Sequence, residues 1–351
     1  MKIRCLFLLL IISNSLLAQQ CDCEANFRFM VDKVEKNSIH FADYIKSANV
    51  DAYRHFTDSM QQRAKGLSAP LCLNLLTNWT KYFKDGHTML FVNADSATRV
   101  QYNLPPRKKS KWLGRNTDAS FAVINDSTCM IRIPDCSMVN IPQVDSIVST
   151  NRALIARTPH LILDLRDNLG GTVLVFQSIL PLIYTGPVTR KSTSVLSTED
   201  NLQYSYEQEV TGVSDSMTAV FKKEAVQLRA HIGSIYELWP ADTVRRDTVY
   251  PYPKAVSILQ NHFSVSAAEL FILDARQSHK VKLYGENTLG AVDYTDGVGI
   301  PMPCPIFQVF FPSSRSNRLP GTMIDGYGIR PDVRIPQGAD WVKTVCEDRG
   351  Y

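Results

Sequence analysis

The segment His262-Phe-Ser-Val-Ser266-Ala-Ala-Glu269 places a serine between two apolar stretches, Ala255-Val-Ser-Ile-Leu259 and Ala267 to Gln277. The first predicts a buried strand and the second a helix. A serine at that junction has its hydroxyl at a helix N-terminus, where the macrodipole and free backbone N–H groups favour developing negative charge. A nucleophile of acyl transfer would gain from that setting. The same residues, Ser266 and Glu269, also spell a Ser-x-x-Glu capping box, which does no more than start a helix. This segment alone leaves both readings open.

Four other local patterns stand with it. Asp164-Leu-Arg166-Asp-Asn168-Leu-Gly170-Gly171 follows the apolar His160-Leu-Ile-Leu-Asp164. Two glycines after a strand let backbone N–H groups approach a ligand closely, or simply make a tight turn. Asp164 and Arg166 have the spacing of a pair that shapes this loop. Tyr284-Gly-Glu286-Asn-Thr288-Leu-Gly290 is a glycine-bounded turn after another strand, Val281 to Gly285. Asp325-Gly-Tyr-Gly328-Ile-Arg-Pro331-Asp332 is a Gly/Pro turn near the C-terminus. Lys84-Asp85-Gly86-His87-Thr88 closes an N-terminal helical region.

In this order and spacing the five patterns resemble the tail-specific, or C-terminal-processing, family of serine peptidases. The match is strong from about residue 160 to 335, with 190–250 unmatched, and weaker over the helical region. The resemblance implies a crotonase- or Clp-protease-like α/β core of strand–helix–strand units. It implies that Ser266 is the nucleophile. The branch with a Ser-Lys dyad carries its lysine directly after Gly-Glu-x-Thr-x-Gly, where this chain has Ala291. The tricorn-core-like branch takes a histidine from Asp-x-His-Thr, here His87, and an acid near the closing motif, here Asp325. An imidazole suits a base near neutral pH, and a carboxylate on its far nitrogen sets the tautomer. Backbone N–H groups of Gly170 or Gly171 and of Ala267 would hold the oxyanion. His262, beside the serine, is the rival base. Many relatives carry a PDZ domain between the helical part and the core. Residues 89–150 are too short for one and lack its loop, so selection of substrates by their C-terminal tail is not implied.

The elements that must position these residues can be sketched. An apolar stripe through Phe27, Met30, Val31, Val34 and Ile39, and another from Leu71 to Phe83, predict a cap of three helices over 19–88. Residues 89–150 form a short connecting region with strands at Phe121–Ile124 and Cys129–Ile133 and a helix from Pro142 to Ala156. Residues 151–351 form the α/β core, with helices at Thr172–Tyr184 and Trp341–Cys346, strands at Pro305–Phe311 and Ile329–Ile335, and a polar, irregular insertion at 190–250 with one helix near Ser214–Ile232. Alternating strands and helices predict a mostly parallel sheet.

Composition bounds the class. The 351 residues are 44% apolar and 21% charged, the balance of a globular protein. Lys2, Arg4, the apolar Leu6–Ile12 and a small-residue end at Ala18 predict a secretory leader over 1–18. The chain is thus expected to be exported, periplasmic or secreted. Without Lys2 and Arg4 the net charge of +4 falls to +2, which gives no case for nucleic acid. Arg107-Lys-Lys-Ser-Lys111 reads as a solvated loop. No apolar run is long enough for a membrane helix. Of eight cysteines, Cys5 leaves with the leader and seven remain. An odd number leaves at least one thiol outside an internal pair, and Cys21 or Cys23 is expected to tie the tail to Cys72. The cysteines and histidines have no zinc spacing, and no cofactor is called for. The leading reading is a serine endopeptidase acting on polypeptides. A peptide- or small-hydrophobe-binding protein on the same fold is the alternative, since Ala291 also fits a lapsed site. An acyl-CoA enzyme of the crotonase class is disfavoured by export. Oligomeric state is not legible.

Overall fold

The computed structural model describes residues 21–106, 116–211 and 213–351. The expected leader and the basic run at 107–111 lie outside them. Thirteen strands occur among the described residues: β1 Met89–Val92, β2 Ser120–Asn125, β3 Thr128–Arg132, β4 His160–Asp164, β5 Val188–Arg190, β6 Thr193–Leu196, β7 Ile235–Trp239, β8 Asp242–Val244, β9 Ala255–Gln260, β10 Val281–Gly285, β11 Tyr294–Pro301, β12 Phe307–Ser316 and β13 Val333–Arg334.

The site is built on a six-stranded sheet in the order β13-β10-β9-β4-β3-β2. All pairings are parallel except β2 with β3. β4 and β9 are buried at every position, which explains their unbroken apolar runs: a central parallel strand has both faces covered. One face is packed by the helix Ala267–Ala275, whose Phe271 stacks on Phe176 with ring centroids 4.1 Å apart. The other face receives the C-terminal helix Trp341–Arg349 through Tyr284, Val345 and Cys346.

A second, antiparallel sheet runs β1-β12-β6-β7, with β11 also on β12. The helical cap packs on this sheet. Phe27, Met30 and Trp79 from its helices share one apolar cluster with Val298, Phe307, Val309 and Phe311. Two disulfides hold the N-terminal segment: Cys23 to Cys72 within the cap, and Cys21 to Cys304 in the β11–β12 connection. Cys129, Cys136 and Cys346 are free and buried.

Several expected elements differ. β2 and β3 fall in the region read as a connector, yet they are two strands of the main sheet. The stretch 190–250 holds the helix Asp215–Arg229 as expected, but also β6 and β7 of the second sheet and the β8 partner of β5. Its strands are short, and β7 and β8 are largely exposed, so no apolar run announces them. The helix expected at Thr172–Tyr184 is instead a 3₁₀ turn, Val173–Phe176, and a short helix, Leu180–Ile183; Pro181 sets the start of the second. The helix expected from Pro142 is split into Asn140–Thr150 and Arg152–Ile155.

Candidate active site

Ser266 caps the helix Ala267–Ala275 with φ 55° and ψ −113°. A non-glycine residue in that region is strained by about 1–3 kcal/mol and persists only when its surroundings fix it. Those surroundings are explicit. The Ser264 hydroxyl donates to the Leu165 carbonyl at 2.8 Å and accepts the Asn261 N–H at 3.0 Å. The Asn261 amide donates to Asp167 at 3.0 Å and its oxygen accepts the Asp167 N–H at 2.9 Å. The Val265 N–H donates to the Asn168 carbonyl at 2.8 Å. The serine turn is thereby fastened to the Asp164–Gly171 loop.

Asn168 is fully buried and anchors that loop in turn. Its amide donates to the Ile133 carbonyl at 2.8 Å, and its side-chain oxygen accepts the Gly170 N–H at 2.9 Å. Asp164 holds Arg166 through two bonds, at 2.8 and 2.7 Å, so this pair shapes the loop as its spacing suggests. Gly170 has φ 86°, and a Cβ there would lie 2.8 Å from the Ser266 Cβ. Gly171 has φ 134°, and a Cβ there would lie 2.2 Å from the Cys136 carbonyl oxygen. Both glycines are therefore required by close approach as well as by conformation. The Gly170 N–H is committed to Asn168. Among the described residues, the N–H groups of Gly171 and Ala267 have no protein acceptor.

Glu269 ties the serine segment to the Thr288–Gly290 turn and to Ala291. One oxygen accepts the N–H groups of Ser266 (2.9 Å) and Ala291 (3.0 Å). The other accepts the Thr288 hydroxyl (2.5 Å) and the Gly290 N–H (2.8 Å). Burial raises its carboxyl pKa, while these four bonds oppose the rise. The capping box is real, and it is also the hub of the site. Glu269→Ala would orphan three buried N–H groups and a hydroxyl. It is expected to cost on the order of 3–5 kcal/mol, with Glu269→Gln falling between, as measured by chemical denaturation.

His87 comes from the cap. Its loop meets the core where Gly86 faces Ala291: a Cβ on Gly86 would sit 2.7 Å from the Ala291 Cβ. Ala291 thus fills the dyad-lysine position with a methyl against which the His87 loop packs, and it shares the Glu269 oxygen with Ser266. His87 is half-buried, and its Nδ1 is buried with no partner among the described residues. His262 is exposed, its ring edge-on to Phe263.

Asp325 is buried against the backbone of Val292–Tyr294. Its carboxyl accepts the N–H groups of Val292 (2.6 Å), Asp293 (2.8 Å) and Tyr294 (3.3 Å). Asp293, fully buried, returns the arrangement by accepting the N–H groups of Ile324 and Asp325 at 2.5 and 2.8 Å. Burial, together with the Asp293 charge, pushes Asp325 up to about 8 against the pull of its N–H donors. Asp293, Asn261 and Ser264 were not singled out from the sequence; only their places beside the motifs could have marked them.

The sequence profile of peptidase family S41 matches residues 127–335. The chain belongs to that family. Over 224 residues it is 21% identical to a protein of Chlamydia muridarum, a match covering 56% of this chain and 36% of that protein's length. In structure it is similar to mature CPAF complexed with lactacystin, with a TM-score of 0.62 at 13% identity over 92% of this chain and 94% of that one. A protein from Parabacteroides merdae described as a candidate peptidase gives a TM-score of 0.58 at 16% identity, covering 94% of this chain and 96% of that one. These likenesses support the fold: an α/β molecule with a Clp-protease-like core. The family match begins in the β2–β3 turn and takes in the whole of the stretch read as an insertion.

Proposed function

We propose that this member of family S41 is an exported serine endopeptidase that cleaves polypeptides through an acyl-enzyme on Ser266, with His87 as general base. The observation that carries the proposal is the strained Ser266, held with Gly170 against its Cβ and two uncommitted N–H groups, of Gly171 and Ala267, beside it. His87 takes the hydroxyl proton as Ser266 attacks the scissile carbonyl, then returns it to the leaving amine. The oxyanion that forms is met by the Gly171 and Ala267 N–H groups, with Ala267 at the positive end of its helix. Gly170 serves by its lack of a side chain rather than as a donor. Asp325, when ionised, supplies the carboxylate for the far nitrogen of His87. The two disulfides accord with an oxidising compartment, and no helix of the described residues is long and apolar enough to cross a membrane.

One observation favours a second reading, a non-catalytic peptide- or small-hydrophobe-binding protein on the same fold. Among the described residues the His87 Nδ1 has no partner, while the Asp325 carboxyl is engaged by backbone. Treatment with a fluorophosphonate decides between the two. The expected result is a single adduct, mapped to the peptide containing Ser266. An unreactive chain between pH 5 and 9 would sink the peptidase reading and promote the binding-protein one.

A further inference from the structure

A buried hydrogen-bonded pair outside the proposed triad adjoins the loop of its base. His40, in the first part of the cap, is 4% exposed, and its Nδ1 lies 2.8 Å from an oxygen of Asp85. The other Asp85 oxygen accepts the backbone N–H groups of His87 at 2.9 Å and Thr88 at 2.6 Å. The Thr88 hydroxyl closes the set on the first oxygen at 2.6 Å. Asp85 sits between two left-handed residues, Lys84 (φ 56°) and Gly86 (φ 72°). Its carboxylate is thus the centre of the tight loop that presents His87. Burial alone would raise the Asp85 carboxyl, but the bonds from His40 and Thr88 take it below its ordinary value.

His40 has a second set of contacts, toward the core. Its ring lies 4.2 Å from that of Tyr294, centroid to centroid. The Tyr294 N–H is one of the three that donate to Asp325, at 3.3 Å. The Tyr294 hydroxyl donates to Asp43 at 3.0 Å, and Asp43 pairs with Arg315. One imidazole therefore touches, through a single intermediary on each side, the loop of the proposed base and the segment of the proposed acid. Nothing in its local sequence, Ser38-Ile-His40-Phe-Ala, marks it.

We infer that His40 is a positioning residue: through Asp85 on one side and Tyr294 on the other, it holds the His87 loop in register with the Asp325 segment. This rests on the serine-peptidase reading for its catalytic meaning. Removing the ring leaves a buried carboxylate short of a partner, and such a loop relaxes rather than keeps its geometry. A displacement of about 1 Å in a catalytic group costs on the order of 10²-fold in rate.

The test uses the full mature chain with His40→Leu, which removes the donor, and His40→Asn, whose amide nitrogen occupies the place of Nδ1. The first measurement is amide hydrogen exchange over residues 85–88, which needs no activity. It is expected to quicken in the Leu variant and return toward wild type in the Asn variant. The second is fluorophosphonate labelling and casein hydrolysis. His40→Leu should lower kcat about 10²-fold with KM little changed, His40→Asn should recover most of it, and His40→Leu should cause no further loss in a His87→Ala background. A merely structural role predicts instead losses that multiply in the double variant and no rescue by Asn. That result, or unchanged exchange at 85–88, overturns the inference. A wild-type chain that never labels sinks the peptidase reading, and with it the catalytic meaning of His40. Exchange at 85–88 tells that failure apart from an error about the loop.

Discussion

Ser266→Ala is expected to abolish fluorophosphonate labelling and casein hydrolysis while leaving the fold intact. The loss in kcat should be on the order of 10⁶-fold, as for removal of a nucleophile or its base from a working triad, and His87→Ala should fall nearly as far. The two losses should not multiply, because the residues act as one unit. The backbone of Ser266 allows a sharper reading. At φ 55° both Ser and Ala are strained, whereas Gly is not. Ser266→Gly should therefore be as inactive as Ser266→Ala yet more stable, by about 1 kcal/mol. Denaturation of the two variants measures the strain, and labelling measures the chemistry. A Ser266→Ala chain that still cleaves casein would remove Ser266 from the mechanism. A Gly variant less stable than the Ala variant would mean that the unusual backbone is not strained.

The second large effect concerns Asp325 and pH. An ordinary aspartate titrates near 3.8, and burial has moved Asp325 to about 8. Between those values the unfolded chain has released the proton and the folded chain keeps it. The folded state then binds more protons, so stability falls as pH rises across this window and levels off above about 8. Asp325→Asn should flatten that dependence. Its single carbonyl oxygen can still accept the Val292 and Asp293 N–H groups, which both bond the same Asp325 oxygen. If the ionised carboxylate orients His87, activity should climb toward alkaline pH with a limb near 8, above the 6 to 7 of an unassisted imidazole of about that range. At its plateau, loss of the carboxylate should cost about 10⁴-fold. A profile already flat at pH 7, with Asp325→Asn fully active, would release Asp325 from the triad.

What could be read from the sequence divides along physical lines. The serine segment, the Gly170-Gly171 loop and the Thr288–Gly290 turn were legible because each is a local device: a strand end, a cap, a glycine with a left-handed backbone. The strands β4 and β9 were legible because burial on both faces writes an apolar run. β11 was missed; its Thr295-Asp-Gly-Val-Gly stretch carries two glycines and a charge, and its strand character comes from pairing with β12 through seven residues. β6 and β7 were missed for the same reason. The roles inside the site were harder still. That the Gly170 N–H is used by Asn168, that Asp293 and Asp325 bond each other's backbone, and that His40 meets Asp85 across 45 positions are consequences of tertiary placement, which no periodicity encodes.

β12 accepts β1 on one edge and β6 and β11 along its length, joining strands drawn from residues 89 to 316. A ribosome releases these pieces in the opposite order from their need. The cap and the His87 loop emerge early, but the strand on which β1 lies is made after most of the chain, and Asp325 later still. Non-local pairings of this kind form slowly, so the growing chain spends most of its synthesis with His87, Ser266 and Asp325 apart. The topology acts as a timer. Incomplete versions of the chain lack that joined sheet, and His87 and Asp325 come together only when the last tenth or so of the molecule closes over the first quarter.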